Sequence, residues 1–280
     1  MLRARELLDE VRAALKDVSA VEDNSPFEAD WLFMSVTRLG LESLVVEPNM
    51  EIPRDLAERL RELARRRAAG EPLQYLLGDV EFLGRRFRVD RRALIPRAET
   101  ETLVHAALEC APEPGAYSVA ELGTGSGVVA VSIALERPEA AVVATDISEN
   151  ALSLARENAE LWGVSDRVRF VRGDLTAPLA EPVELLVFNP PYVPSAVVGA
   201  IQRDLAYEPR LALDGGADGL DTYRRLAEQW QGAVTPGGWL LVEVGAGQHL
   251  AVTRILGGAE TRLWDDFRGI VRVVGVRRAH

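Results

Sequence analysis

The sequence predicts an α/β protein, a mostly parallel sheet with helices on both faces, preceded by a small helical bundle. Three observations predict it. After Pro112, short apolar and β-branched runs alternate with helical patterns, the signature of strand–helix–strand units. The glycine-rich stretch Gly123-Thr124-Gly125-Ser126-Gly127 follows the first of these strands and opens a helix. The N-terminal quarter instead repeats its apolar residues with a period near 3.6.

The elements follow in order. Leu7, Leu8, Val11, Leu15 and Val18 form one apolar stripe of a first helix. Ser25-Pro26 starts a second, which carries Trp31, Leu32, Val36 and Leu39. Pro53 begins a third with Leu56, Leu60 and Leu63 inward, so that Arg59, Arg61, Arg65, Arg66 and Arg67 fall mostly on its outer side, and Gly70 ends it. Between Tyr75 and Leu94, the residues Val80, Phe82, Phe87 and Val89 flank Gly84, a hairpin-like connector. The organisation expected is a helical domain over 1–74, a connector over 75–95 and an α/β domain over 96–280. In the last of these, strands are expected at Ser118–Leu122, Ala141–Thr145, Val168–Val171, Leu185–Phe188, Trp239–Val244 and Ile270–Val276. Helices are expected at Gly127–Glu136, Glu149–Trp162 and Thr222–Ala233.

Composition narrows the function classes. The chain has 280 residues, enough for one large core and a smaller companion. Its net charge of −11 is repelled by a phosphate backbone, so no direct nucleic-acid partner is expected. No apolar run is long enough to span a bilayer, and Met1–Glu10 is charged rather than signal-like. Cys110 is the single cysteine, which excludes an internal disulfide and fits a reducing cytoplasm; within an apolar helical stretch it reads as a buried, inert thiol. His105, His249 and His280 are scattered without ligand spacing, so no metal is expected. A monomer is expected.

The candidate site begins at the glycine loop. Glycines let the backbone turn sharply and approach a ligand, and the helix N-terminus offers free N–H groups. Glu121, Gly123, Thr124, Gly125, Ser126 and Gly127 are therefore candidate cofactor contacts. The run Gly125 to Ala130 also fits a dinucleotide pattern, which leaves a nicotinamide enzyme open. Asp146 ends the second strand, where a carboxylate can accept from both ribose hydroxyls of an adenosine cofactor; it can equally cap the helix after Ile147. Asp174 and Leu175 follow the third strand, at the edge and face expected for adenine.

Asn189-Pro190-Pro191-Tyr192 closes the fourth strand. Two prolines stiffen the loop and remove backbone donors. The Pro190 carbonyl and the Asn189 side-chain oxygen are then two acceptors, and Tyr192 supplies a flat apolar face. An amide or aromatic amine nitrogen is a poor nucleophile because its lone pair is delocalised. A fork of two acceptors can hold both of its N–H bonds, so that the lone pair develops toward an electrophilic methyl group. Positioning of this kind contributes several kcal/mol without a strong base. The residues thus point to S-adenosylmethionine-dependent methylation of a planar nitrogen.

Together these motifs resemble the peptide chain release factor glutamine methyltransferases, the HemK/PrmC family. The resemblance also rests on Gly70-Glu71-Pro72-Leu73-Gln74-Tyr75 and on Leu94-Ile95-Pro96-Arg97-Ala98-Glu99-Thr100-Glu101. It implies a Rossmann-like seven-stranded methyltransferase sheet and S-adenosyl-L-methionine as cofactor, with S-adenosyl-L-homocysteine as product. It implies as substrate the glutamine of the Gly-Gly-Gln motif in class I release factors, held by Asn189 and Pro190, with the N-terminal helices gripping the protein partner. Gly123 to Gly127, Asp146 and Asn189 would touch the cofactor, with Ile147 beside them. Ala98 stands where the family has proline, and Leu175 where an aromatic is common. Arg97, Glu99 and Thr100 are placed to form a lid; Glu99 and Glu101 can also be first-turn acids that suit a helix dipole. Asn-Pro-Pro-Tyr alone is shared with nucleic-acid adenine N6-methyltransferases, which remain the alternative.

Overall fold

The computed structural model describes residues 2–16, 25–112, 115–198 and 206–280. These form two compact units, one of residues up to Gly78 joined by Tyr207, the other from Asp79 onward without that insertion. Val18 lies outside the described residues.

The smaller unit is helical, and its pattern follows from burial. β1 (Leu2–Arg3) leads into α1 (Ala4–Leu15), which turns Leu7, Leu8, Val11 and Leu15 into the core. α2 (Ser25–Thr37) contributes Leu32 and Phe33. A short α3 (Ser43–Val46) and β2 (Glu51–Ile52), paired antiparallel with β1, come next; neither strand is long enough to announce itself by alternation. α4 (Arg54–Ala68) starts after Pro53 and buries Leu60 and Leu63. α5 (Leu73–Leu77) takes up Tyr75, which the sequence had assigned to the connector.

Arg67 corrects the expectation of an outward arginine face. It lies three and four residues beyond Ala64 and Leu63, on the buried stripe. Its Nε and Nη2 donate to the two carboxylate oxygens of Glu28, at 2.9 and 3.1 Å, and both side chains are nearly solvent-free. Arg66 makes the equivalent fork onto Glu71 nearer the surface.

The larger unit opens with the hairpin β3 (Asp79–Phe82) and β4 (Arg85–Arg88), turned at Leu83 and Gly84, both with positive φ. A 3-10 turn (Ala98–Thr100) then leads directly into α6 (Glu101–Cys110). Burial pushes the Cys110 thiol up to about 11, consistent with an inert packing role. Beyond it run β5 (Tyr117–Leu122), α7 (Val128–Glu136), β6 (Ala140–Asp146), α8 (Glu149–Leu161), β7 (Val168–Arg172) and β8 (Val183–Phe188). The short α9 (Ser195–Val198) precedes the stretch leading to α10 (Asp221–Ala227) and α11 (Trp230–Ala233). The expected single helix over Thr222–Ala233 is thus two; both halves bury apolar residues, Leu226 and Trp230, which hides the break from a pattern reading. β9 (Val234–Glu243), α12 (His249–Leu256), β10 (Glu260–Asp265) and β11 (Val271–Arg277) complete the chain. β10 escaped notice because it is an edge strand with mostly exposed side chains.

The seven strands run in the order β10-β11-β9-β8-β5-β6-β7, parallel from β9 to β7, with β11 antiparallel to both of its neighbours. From β5 the chain winds outward through β6 and β7, then returns to place β8 on the other side of β5. That reversal makes β5/β8 the topological switch point, where open parallel sheets form a crevice at their carboxyl ends. No described helix is long and apolar enough to cross a membrane.

Removing one partner of a buried ion pair strands the other charge. Arg67→Ala is expected to lower unfolding free energy by about 3–5 kcal/mol, measured by denaturant titration, whereas Arg54→Ala, whose pair with Glu58 is solvent-exposed, should change it by less than about 1 kcal/mol.

Candidate active site

The crevice at the β5/β8 switch point holds a cavity of about 350 Å³. Three chain segments build its floor.

The glycine loop forms the first. Gly127 has φ +83°, and a Cβ there would lie 2.9 Å from the Cβ of Ala155 on α8, so this position must be glycine for α7 and α8 to pack. Gly123, at φ +59°, lies against the Phe188 ring in the same way. Underneath, Glu121 Oε2 accepts from the Thr124 hydroxyl at 2.5 Å and from the Ala130 N–H at 3.0 Å, in the first turn of α7. Burial pushes this carboxyl up to about 8, against the pull of those two donors, and the nearby Asp146 raises it further. Asn158, fully buried on α8, donates to the Ser126 carbonyl at 2.8 Å and pairs with both backbone groups of Arg88, which ties the hairpin to the loop.

Asp146 forms the second, at the end of β6. Its Oδ2 accepts from Gly125 N–H at 2.9 Å and its Oδ1 from Ser148 N–H at 2.8 Å. Asp146 is not the helix cap: Ser148 is the N-cap residue of α8, and its Oγ accepts from the Ala151 N–H. A carboxylate has about four acceptor positions, so acceptor capacity remains for a ligand. Burial raises its pKa and the backbone donors oppose the rise.

The Asn189 loop forms the third. Asn189 Nδ2 donates to Thr100 Oγ1 at 3.2 Å, which leaves the side-chain oxygen as an acceptor. Pro190 is buried and Pro191 lines the cavity. The loop is held by a second one: Val193 N–H donates to the Leu213 carbonyl and Gly215 N–H to the Val193 carbonyl. Gly215 approaches so closely that a Cβ there would lie 2.8 Å from the Pro191 carbonyl oxygen.

The roof comes from Leu94 to Arg97 and from Pro209 to Ala212. Glu208, whose side chain is almost entirely buried, joins the two: Oε2 accepts from Ile95 N–H at 2.9 Å and Oε1 from Arg97 Nη2 at 2.5 Å.

Two relatives decide the family. The chain is 41% identical over 280 residues to a release factor glutamine methyltransferase of Geobacter sulfurreducens, covering 98% of this chain and 96% of that one. It is 44% identical over 226 residues to one of Moorella thermoacetica, covering 80% of each. The chain belongs to the release factor glutamine methyltransferase family. Two family models agree, the PrmC N-terminal domain over residues 6–78 and the methyltransferase small domain over 101–216. The fold is also that of a methyltransferase from Pyrococcus furiosus, with a TM-score of 0.51 at 17% identity over 69% of this chain and 89% of that one.

For a release factor glutamine methyltransferase the lining is informative. Glu121, Gly123, Thr124, Gly125, Ser126, Asp146, Ile147, Asp174, Leu175 and Asn189 all line the cavity, as do Pro191, Arg97 and Thr100. Gly127, Pro190, Tyr192 and Glu99 are not among its lining residues. The Tyr192 ring packs against the sheet core and its hydroxyl donates to Glu243 Oε1 at 3.3 Å. Asp174 pairs with Arg225 at 2.5 Å, at the cavity edge. Glu101 does not simply face solvent: Oε1 accepts from the Leu83 N–H at 2.7 Å in the hairpin turn. Asn158 and Glu243 escaped sequence reasoning. A lone Asn within an apolar helical face was the one available signal, for Asn158.

Glu121 yields a pH prediction. Its folded pKa, about 8, lies above the ordinary carboxylate value. The folded state therefore holds a proton that the unfolded state has lost, and stability falls as pH rises from about 4.5 toward 8. Glu121→Gln should flatten that decline in thermal-melt midpoints across the range. An unchanged slope would mean that Glu121 is charged throughout.

Proposed function

We propose that this protein transfers a methyl group from S-adenosyl-L-methionine to the side-chain amide nitrogen of the glutamine in the Gly-Gly-Gln motif of class I release factors. The observation that carries the chemistry is the Asn189 side chain, anchored through its NH₂ to Thr100 so that its oxygen is available to accept, beside a cavity shaped for an adenosine cofactor.

The cavity fits that cofactor. Asp146 keeps acceptor capacity for ribose hydroxyls. Ile147, 46% exposed although it lines a cavity, and Leu175 offer apolar faces for a purine ring. When bound, the cofactor supplies an electrophilic methyl on a sulfonium. The protein's part is positioning. Asn189 Oδ1 and the Pro190 carbonyl accept the two amide N–H bonds and turn the nitrogen lone pair toward the donor. The proton leaves after attack, when the nitrogen has become acidic, so no strong base is needed. Glu208 holds Arg97 and the Leu94–Arg97 segment above the cavity as a lid that excludes water.

The helical unit is assigned to gripping the release factor, which its exposed Phe27 and Trp31 on α2 support. Residues 1–74 would be this substrate-binding domain, 75–95 the connector and 96–280 the methyltransferase domain. The enzyme acts as a monomer in the cytoplasm, without direct nucleic-acid contact; the net charge of −11 supports the last point.

Incubation with labelled S-adenosylmethionine and a class I release factor should place the label on the Gly-Gly-Gln glutamine by mass spectrometry, and Gln→Ala in that motif should abolish it. Robust, salt-sensitive transfer to duplex DNA would instead favour adenine methylation, and tighter binding of NAD than of S-adenosylmethionine in calorimetry would favour a nicotinamide enzyme. Asn189→Ala removes one arm of the fork and should lower kcat by about 10²–10³-fold; near-normal turnover would exclude the fork as the source of catalysis.

A further inference from the structure

Glu243 is a buried acid with no part in the mechanism above. It closes β9, next to β8 in the sheet. Phe188 and Val242 are register partners, so the residues that follow them, Asn189 and Glu243, leave the sheet side by side. Glu243 is 1% exposed. Tyr192 donates its hydroxyl to Oε1. Oε2 is buried without a hydrogen-bond partner, and the nearby Thr100 hydroxyl, like that of Tyr192, favours the charged carboxylate. Thr100 is also the acceptor for Asn189 Nδ2.

A primary amide can sit either way round, and a hydroxyl can donate or accept. The Asn189–Thr100 contact alone therefore does not fix which end of the amide faces the cavity. An ionised carboxylate does fix it, because it can only accept. The Thr100 proton then points at Glu243, the Thr100 oxygen must accept from Asn189 Nδ2, and Asn189 Oδ1 faces the substrate. A proton on Glu243 reverses every step: Glu243 donates to Thr100, Thr100 donates to Asn189 Oδ1, and a donor NH₂ is turned toward the cavity.

We propose that Glu243 and Thr100 are positioning residues that set the orientation of the Asn189 amide, and so decide whether the enzyme presents an acceptor to the substrate nitrogen. This rests on the methyl-transfer reading of Asn189 given above. Glu243 is faced by Thr100 and Glu99 from the turn before α6, by Tyr192 from the Asn189 loop and by Arg272 from β11. Tyr223 on α10 donates to its backbone carbonyl. Burial lifts its carboxyl to about 7, which puts the switch in reach of ordinary assay pH.

Glu243→Gln is the decisive variant. It preserves shape but replaces an obligate acceptor with an amide that can present either end to Thr100, so the direction of the Asn189 amide is no longer imposed. In the full-length protein, kcat should fall at least tenfold at pH 8 with the donor KM within twofold and the melting midpoint preserved. Thr100→Val should show the same split, Thr100→Ser should recover most of the turnover, and wild-type kcat should drop as pH falls below about 7. A second readout does not depend on turnover. In ¹⁵N-labelled protein, the side-chain NH₂ resonances of Asn189, identified by their loss in Asn189→Ala, should shift in both Glu243→Gln and Thr100→Val. Unchanged resonances together with wild-type kcat in Glu243→Gln would overturn the proposal. If the wild-type protein moves no methyl to a release factor but the resonances shift as described, the substrate reading fails and the relay stands.

Discussion

Register in the parallel part of the sheet is the constraint on which the site depends. Glu121 pairs in register with Ala144 on one side and Val187 on the other, and Phe188 with Val242. These pairings bring the carboxyl ends of β6, β5, β8 and β9 to one level, and each of those ends carries a polar side chain: Asp146, Glu121, Asn189 and Glu243. A one-residue slip in any of these strands would turn its side chains to the opposite face. The apolar residues behind them, Val119, Ala120, Leu185, Leu186 and Leu241, are fully buried and hold the register by packing. Sheet stability and site geometry are therefore one requirement.

On that platform the loops are stiffened by close approach rather than by length. Gly123 lies against Phe188, Gly127 against Ala155 and Gly215 against the Pro191 carbonyl, each at a distance no Cβ could occupy. Backbone brought so near must have its polar groups satisfied. Asn158 does this for the hairpin and the glycine loop, Asp146 for Gly125, and Glu208 for Ile95. These buried side chains are the reason that a cavity walled largely by loops keeps a defined shape.

The same distinction explains what the sequence made legible. Strands β5, β6 and β8 were readable because their residues are mostly apolar, and β5 and β8 are buried on both faces along most of their length. The glycine loop and the diproline turn were readable because few residues can adopt those backbones. β10, exposed at the edge, and the two-residue strands β1 and β2 carry too little pattern. Arg67 was misread because a buried charge looks like a surface one until its partner, thirty-nine positions away, is located. Glu243 was invisible for that reason too. Its role comes from what tertiary folding places against it, and Val-Glu-Val announces no buried acid.

The titratable groups are arranged in a way that suits the chemistry. The elevated carboxyls, Glu121 and Glu243, lie beneath the loops, and each touches the cavity's working parts through an intermediary. Glu121 acts on the glycine loop through Thr124 and Ala130; Glu243 faces Asn189 across Thr100. No described residue at the Asn189 fork is a histidine or a cysteine. A general base there would gain little, since the nitrogen becomes acidic only after the methyl has moved. What the proposed reaction asks of the protein is direction: an acceptor oxygen turned toward an NH₂ group. A carboxamide has no intrinsic preference between its two ends, so that direction has to come from a neighbour that can only accept. A buried carboxylate one hydroxyl removed supplies it and keeps its negative charge out of the path of the substrate.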